Sequence, residues 1–175
     1  MRQYNLMINI ILQAIWFILP AYFANSTPVV ASKFLSKYNK PIDFRKTLKG
    51  KPILGPGKTW MGLAAGLIIA SFVGYIQGIT LIHPLITWKI GFLLGCGALL
   101  GDIIASFIKR RVNLKRGSRV FGLDQLDFIL GAFFFAWLIN QFNITYFIII
   151  LIITPAIHLL ANFLAYKIGV KQEPW

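Results

Sequence analysis

The chain has 175 residues, of which 57% are hydrophobic and only 13% are charged, and its mean hydropathy is +0.70. A soluble domain of this size could not bury so much apolar surface in one core, so the composition predicts an integral membrane protein. The net charge is +13, but the basic residues are divided among loops between apolar segments, which argues against nucleic acid as a partner.

Apolar segments long enough to cross a bilayer occur five times along the chain. They are residues 4–24, 60–80, 88–108, 126–142 and 145–167. The sequence therefore predicts an all-α fold, with one transmembrane domain over residues 1–175 and about five membrane-spanning helices. One basic residue precedes the first segment and eight follow it, so we expect a retained span and not a cleaved signal peptide.

The basic residues predict how the chain is oriented in the membrane. Eight lie between the first and second segments, six between the third and fourth, and two in the C-terminal tail, whereas only Arg2 and Lys89 lie on the opposite side. Because cytoplasmic loops are enriched in Lys and Arg, we expect the N-terminus outside and the C-terminus in the cytoplasm. The two basic loops of this multi-pass cell-membrane protein then face the cytoplasm.

Residues 29–40, in the first basic loop, predict a short amphipathic helix. Val30, Phe34 and Tyr38 recur every four residues, and lysines occupy the opposite face. A helix of this kind lies on the membrane surface with its apolar side among the lipids. We expect it to act only as an anchor.

The first basic loop ends in the sequence GPGKT, residues 55–59, directly before the second span. Backbone amides, the Lys58 ammonium and the Thr59 hydroxyl would then meet at a helix N-terminus, which favours phosphate binding. The sequence is not a Walker A loop, because Pro52 occupies the place of the first glycine of that motif.

Asp102 is the only charged residue between Lys89 and Lys109, inside the third apolar segment. A carboxylate in such a segment costs about 2.5–3.5 kcal/mol to insert, so it indicates a functional site with a partner. Ser106 and Lys109 follow Asp102 at spacings of four and seven residues. A hydroxyl and an ammonium therefore share the helix face of the carboxylate.

Asp124 and Asp127 lie at the start of the fourth segment, on one helix face and at the predicted depth of Asp102. Three carboxylates in a poorly hydrated site repel each other unless a cation neutralises them, and oxygen ligands favour magnesium or manganese. We therefore expect the three aspartates to hold Mg²⁺, with a second metal or K⁺ left open. The alternative is that Asp102 pairs with a basic side chain while the other two cap a helix.

A second basic loop starts at Lys109, Arg110 and Arg111 and also contains Ser118. Its cations suit substrate phosphates, but cytoplasmic topology and anionic lipids would explain them equally well. Both interpretations stay open for the loop. Lys109 is favoured as a site residue because it shares the helix face of Asp102.

Other polar residues of the apolar segments have less specific explanations. His158 and Asn162, one helical turn apart, suggest an interhelical contact more than a catalyst. Asn25 lies at the predicted depth of the aspartates and is either a polar cap or a site residue. Spacings of four residues between glycines predict close helix packing at Gly62/Gly66, Gly91/Gly95 and Gly97/Gly101.

The chain resembles the CDP-archaeol synthases, archaeal lipid enzymes, through the stretches PAYFANSTPV (20–29), PIDF (41–44), GKPILGPGKTWMGL (50–63), GDIIASFIKRR (101–111), KRGS (115–118) and LDQLDF (123–128). It is more distantly similar to the CDP-diacylglycerol synthases. Their S-x-x-K-R and D-x-x-D patterns are matched by Ser106, Lys109, Arg110, Asp124 and Asp127. The bacterial pattern has His-Gly-Gly before its aspartates and this chain does not, which favours the archaeal branch.

The resemblance implies transfer of a cytidylyl group from CTP to digeranylgeranylglyceryl phosphate, an isoprenoid ether lipid phosphate, giving CDP-archaeol and pyrophosphate. It implies Mg²⁺ held by Asp102, Asp124 and Asp127. The nucleotide and its phosphates would contact Asn25, Lys58, Thr59, Ser106, Lys109, Arg110, Arg111 and Ser118. The lipid chains would enter sideways between spans, and the oligomeric state stays open.

Two other classes of protein also stay open. A CDP-alcohol phosphotransferase likewise uses intramembrane aspartates, but its D-G-x-x-A-R motif is absent from the sequence. A cation or proton transporter could use Asp102 as its intramembrane carboxylate. It would need a continuous polar path, whereas the outer halves of the segments contain almost no ionisable residues.

Overall fold

The computed structural model describes residues 2–34, 37, 39–80, 87–114, 120, 122–170 and 173, and the side chains of all of them except 2, 3 and 123. Over these residues the chain forms five helices and one antiparallel hairpin. They are α1 (Arg2–Phe34), β1 (Thr47–Leu48), β2 (Lys51–Pro52), α2 (Trp60–Ile79), α3 (Trp88–Arg111), α4 (Leu123–Leu138) and α5 (Ile144–Lys167). The predicted helical membrane fold is confirmed.

Four of the described helices, α1, α2, α3 and α5, are long and apolar enough to span a membrane. The remaining helix, α4, has only 16 residues and is about 24 Å long, which is short of a full span. The predicted limits of 126–142 were therefore wrong at both ends. The helix begins early because Gln125 Oε1 accepts a hydrogen bond from the Gly122 amide (3.1 Å). It ends early because Asn140 adopts a left-handed backbone conformation (φ 55°).

The first helix does not end near residue 24 but continues to Phe34. The separate surface helix predicted for residues 29–40 was therefore wrong, because the described part of that range up to Phe34 is the end of α1. Pro28 does not break the helix, although it leaves the carbonyl of Ala24 without its helical donor. That carbonyl faces Gly66 of α2, where an added Cβ would lie 2.8 Å from the oxygen.

Pro20 creates a second unpaired carbonyl inside α1, at Trp16. The buried side chain of Gln77 in α2 donates its Nε2 hydrogen to this carbonyl. A backbone oxygen at membrane depth needs a donor from the protein, because lipid cannot supply one. Gln77 therefore supplies the hydrogen bond that the Trp16 carbonyl lacks and joins α1 to α2.

The helices α3 and α4 pack backbone to backbone through glycines. A Cβ added to Gly101 would overlap the carbonyl of Asp127, and one added to Gly97 would overlap that of Gly131. The predicted close packing at Gly97/Gly101 is confirmed, and it places Asp127 beside the helix that contains Asp102. Without a hydrophobic driving force between helices in lipid, such close contact is a main source of helix association.

One end of the bundle collects the C-terminal ends of α1, α3 and α5. Lys33 in the last turn of α1 donates to the carbonyl of Gly169, just after α5 (2.8 Å). The hairpin lies at the same end, where it contacts Arg111 at the end of α3. The predicted gathering of basic segments at one end is thus present, while its assignment to the cytoplasm stays a prediction.

Candidate active site

A cavity of about 940 Å³ lies at this end of the bundle. Eight of the predicted site residues line it: Asn25, Lys58, Asp102, Ser106, Lys109, Arg110, Asp124 and Asp127. Its volume is at the upper end of the range for small-molecule sites. The structure therefore brings most of the predicted site into one space.

Asp102 forms an ion pair with Lys58, with 2.5 Å between Nζ and Oδ2. Lys58 reaches it from the loop before α2, so residues 44 positions apart meet at the cavity wall. The neighbouring Thr59 caps α2, because its buried hydroxyl accepts from the Gly62 amide (3.1 Å). Thr59 is not part of the lining of this cavity, and its predicted phosphate contact stays a prediction.

Lys109 forms an ion pair with Asp124, across the interface between α3 and α4. The second carboxylate oxygen of Asp124 accepts from the Val120 amide (3.0 Å). Lys109 was expected to share the face of Asp102, and it does line the same cavity, but its closest acidic partner lies on the next helix. Two lysines therefore neutralise two of the three cavity aspartates.

Asp127 is nearly buried, with 8% of its surface exposed. Its Oδ1 accepts from the Phe128 amide (2.6 Å), and the ion pairs among the described residues do not include it. Burial of a carboxylate without a cation is costly, so this side chain is suited to a positively charged ligand.

The three aspartates do not form a ready-made metal cluster. Among the described residues, no group of three or more His, Cys, Asp and Glu side chains is close enough to hold a metal ion. The pairing of Asp102 with a lysine also matches the alternative interpretation of the sequence. The donors still suit a hard divalent cation, because they are carboxylate oxygens that line one cavity.

Arg111 has a structural role at the end of α3, and its predicted phosphate contact stays a prediction. Its guanidinium donates to the hairpin carbonyls of Leu48 (2.7 Å), Lys51 (3.3 Å) and Pro52. In return, Lys51 Nζ donates to the carbonyl of Arg111 (3.2 Å). Arg111 lies outside the cavity lining and fixes the hairpin to the end of α3.

Some predicted features lie outside the described residues. They are Ser118, the basic residues of 115–119 around it, and Tyr38.

The cavity continues as an apolar slot between α1 and α5. Leu19 and Phe23 line it from α1, and Ile157, Ala161 and Ala165 line it from α5. We call these two helix faces the slot.

Polar side chains near the slot form two hydrogen bonds, one between α1 and α5 and one within α5. The hydroxyls of Tyr22 and Thr154 are 2.7 Å apart and join α1 to α5. On α5, Asn162 Nδ2 donates to His158 Nδ1 (3.2 Å), and both side chains line the cavity. This hydrogen bond lies within α5, and His158 also contacts α4, since its ring centroid is 6.4 Å from that of Phe128.

Comparisons with known proteins agree with this architecture. A protein-family model described as CarS-like, CDP-archaeol synthase, matches residues 7–175. The chain belongs to the CDP-archaeol synthase family. The family predicted from the sequence motifs is confirmed.

Individual relatives cover nearly the whole chain. The CDP-archaeol synthase of Pyrococcus horikoshii is 45% identical over 95% of this chain and 98% of its own length. That of Pyrobaculum islandicum is 42% identical over 89% of this chain and 93% of its own length. A solved structure of an intramembrane enzyme for archaeal membrane lipids biosynthesis aligns with a TM-score of 0.78 and 36% identity, over 87% of this chain and 94% of that one.

In this CDP-archaeol synthase family member, Asp43 is buried in the loop before α2 and bound by backbone amides, which the sequence did not predict. Its carboxylate is 7% exposed and accepts from the amides of Arg45 (3.0 Å), Leu54 (2.9 Å) and Gly55 (2.9 Å). Burial acts to raise the pKa of Asp43, but the amides of Gly55, Leu54 and Arg45 outweigh it and hold the pKa below its usual value. The only sequence signal was an aspartate in the PIDF stretch ahead of a glycine-containing loop.

Proposed function

We propose that this chain transfers a cytidylyl group from CTP to an unsaturated archaeal ether lipid phosphate, forming CDP-archaeol and pyrophosphate. One observation carries the proposal. A single cavity combines a polar end that contains carboxylates, lysines and Arg110 with the apolar slot between α1 and α5. A reaction between a water-soluble nucleotide and a membrane lipid needs both environments at one point. Family membership supports the same reaction.

Lys58, Lys109 and Arg110 would bind the triphosphate of CTP at the polar end. Their charges suit the nucleotide phosphates and the negative charge that develops when pyrophosphate leaves. An oxygen of the lipid phosphate would attack the α-phosphorus, forming the new P–O bond. The bond from the α-phosphorus to the oxygen bridging to the β-phosphorus would break, and that oxygen would leave with pyrophosphate.

Mg²⁺ is proposed as the metal, held by Asp102, Asp124 and Asp127. Mg²⁺ commonly binds proteins through one or two carboxylates together with substrate phosphates, so a preassembled cluster of three is not required. When bound, the ion would supply positive charge to the triphosphate. Lys58 and Lys109, now paired with Asp102 and Asp124, would then be available to contact phosphates.

The slot would take the hydrocarbon chains of the lipid. Phe23 is 46% exposed and Val30 is 44% exposed, so the α1 face presents apolar surface where the chains would lie. The lipid phosphate would then point to the aspartates at the polar end. We further propose that this end faces the cytoplasm, where CTP is made, as the basic loops predict.

Transfer of a phosphorus label tests this function. Purified protein in detergent receives Mg²⁺, digeranylgeranylglyceryl phosphate and CTP labelled at either the α- or the γ-phosphorus. The proposal predicts that α-label enters the lipid fraction and γ-label appears in pyrophosphate. The γ-label in the lipid would indicate a kinase, and label in neither product, with an active relative as positive control, would refute the transfer.

A further inference from the structure

The segment between Lys40 and Trp60 is a closed loop. The Ile42 amide donates to the carbonyl of Lys58 (2.9 Å), and the Trp60 amide donates to the carbonyl of Lys40 (3.1 Å). Pro41 and Thr59 also form an isolated antiparallel bridge. The loop therefore starts and ends at the same place, beside the cavity.

Asp43 holds the two sides of this loop together from within. Its Oδ1 binds the amide of Arg45 on the outgoing side, and its Oδ2 binds the amides of Leu54 and Gly55 on the returning side. The two ion pairs among the described residues do not include Asp43. This buried carboxylate is thus satisfied by backbone amides, and its hydrogen bonds hold the two sides of the loop at a fixed separation.

The returning side leads directly to the lysine of the site. Leu54, Gly55 and Lys58 all line the cavity. The Lys58 amide donates to the carbonyl of Gly55 (3.4 Å), so a single turn connects the Asp43 contact to Lys58. Gly55 has a φ of +95°, which an L-residue rarely adopts.

We propose that Asp43 is a positioning residue, which holds the turn of residues 55–58 so that the Lys58 ammonium stays at Asp102 and in reach of the nucleotide phosphates. The inference rests on the proposed function, since it assumes that Lys58 binds CTP. Asp43 itself is outside the cavity lining, so we expect it to act through Lys58 and not through the substrate.

A double-mutant cycle between Asp43 and Lys58 tests the proposal. Asn can offer only one acceptor oxygen, so Asp43→Asn loses the hydrogen bonds on one side of the loop. We expect Asp43→Asn to raise the KM for CTP about tenfold, the size of one lost charge-assisted interaction, and to leave the KM for the lipid unchanged. In the Lys58→Met background it should raise the KM for CTP less than about twofold, because the lysine through which it acts is already gone.

Arg45→Gln is the matched control, because Arg45 contacts Asp43 through its backbone amide, which the substitution retains. Equal effects of Asp43→Asn in both backgrounds would overturn the inference, as would an unchanged KM for CTP. An active wild type whose Lys58→Met variant binds CTP normally would also overturn it. An inactive wild type would instead refute the proposed function.

A second pair of variants tests the turn if Asp43→Asn does not fold. Gly55 and Gly50 both have positive φ, and an added Cβ meets nothing within 4 Å at either position. Alanine therefore strains the backbone at both positions, but only Gly55 donates its amide to Asp43 and begins the turn that leads to Lys58. We expect Gly55→Ala to raise the KM for CTP severalfold and Gly50→Ala to leave it unchanged. The same KM in both variants would overturn the proposal.

Discussion

The two walls of the cavity are built differently. On the α3–α4 wall, glycines bring the backbones together, and Asp102, Asp124, Asp127 and Lys109 all lie on these two helices. On the α1–α5 wall, the slot is lined by aliphatic and aromatic side chains and small residues. A closely packed wall holds charged groups at fixed separations, whereas a less closely packed wall can accommodate a flexible hydrocarbon chain. The difference suggests separate sites for the nucleotide and the lipid in one cavity.

The largest effect should come from the carboxylates of the α3–α4 wall. Asp102→Asn and Asp124→Asn keep the side-chain volume but remove a negative charge, so each should lower turnover about 10²–10³-fold while the protein remains folded. Activity in detergent and the thermal unfolding temperature measure the two effects. Glu173→Gln, at an exposed acid that does not line the cavity, is the control. Retained activity in either aspartate variant would remove that residue from the proposed site.

The close packing of the same wall predicts the next effect. A Cβ at Gly101 overlaps the Asp127 carbonyl, so Gly101→Ala should lower the free energy of unfolding by about 1–3 kcal/mol and reduce activity. Leu100→Ala, on the neighbouring residue, which is 45% exposed, is the control. Both variants can be compared by thermal unfolding in detergent. A Gly101→Ala protein as stable as the wild type would show that this wall is not rigid.

The slot predicts a smaller effect that is specific to the lipid. Ala161→Trp fills part of the slot and should raise the KM for the lipid about tenfold without changing the KM for CTP. Ala156→Trp is the same substitution at an exposed position of α5 that does not line the cavity. If the two variants have the same lipid KM, or if Ala161→Trp changes only the KM for CTP, the lipid does not occupy the slot.

The loop that carries Lys58 to the α3–α4 wall predicts the smallest effect, which depends on pH. Because the folded pKa of Asp43 is lowered, its contribution to stability is present above its unfolded pKa of about 3.9 and is lost as the pH falls through the folded value. The difference in unfolding temperature between wild type and Asp43→Asn should therefore be constant at neutral pH and shrink below about pH 4. A difference that stays constant down to pH 2 would contradict this.

The spacing of residues within single helices predicted much of the site. Asp102, Ser106 and Lys109 were expected on one face of a membrane helix, and all three line the cavity. The ion pair between Lys58 and Asp102 could not be predicted in this way, because it depends on how a loop and a distant helix meet. The role of Asp43 likewise depends on amides that are eleven and twelve residues away.

The errors in the predicted elements have identifiable causes. The first segment was predicted to end at residue 24, yet α1 continues past Pro28 to Phe34, where Gly66 leaves room for the carbonyl that Pro28 leaves unpaired. The fourth segment was predicted to continue to residue 142, but α4 ends at Leu138, just before Asn140 adopts a left-handed conformation. A neighbouring helix therefore decided the outcome at Pro28, and the backbone conformation of a single residue decided it at Asn140.

Pyrophosphate release by the purified protein tests most directly whether the two walls serve two substrates of one reaction. The protein receives Mg²⁺, CTP and digeranylgeranylglyceryl phosphate, and each component is omitted in turn. We predict release only when all three are present. Release from CTP without the lipid would mean that the α3–α4 wall acts alone as a hydrolase, and no release with all three would contradict the proposed transfer.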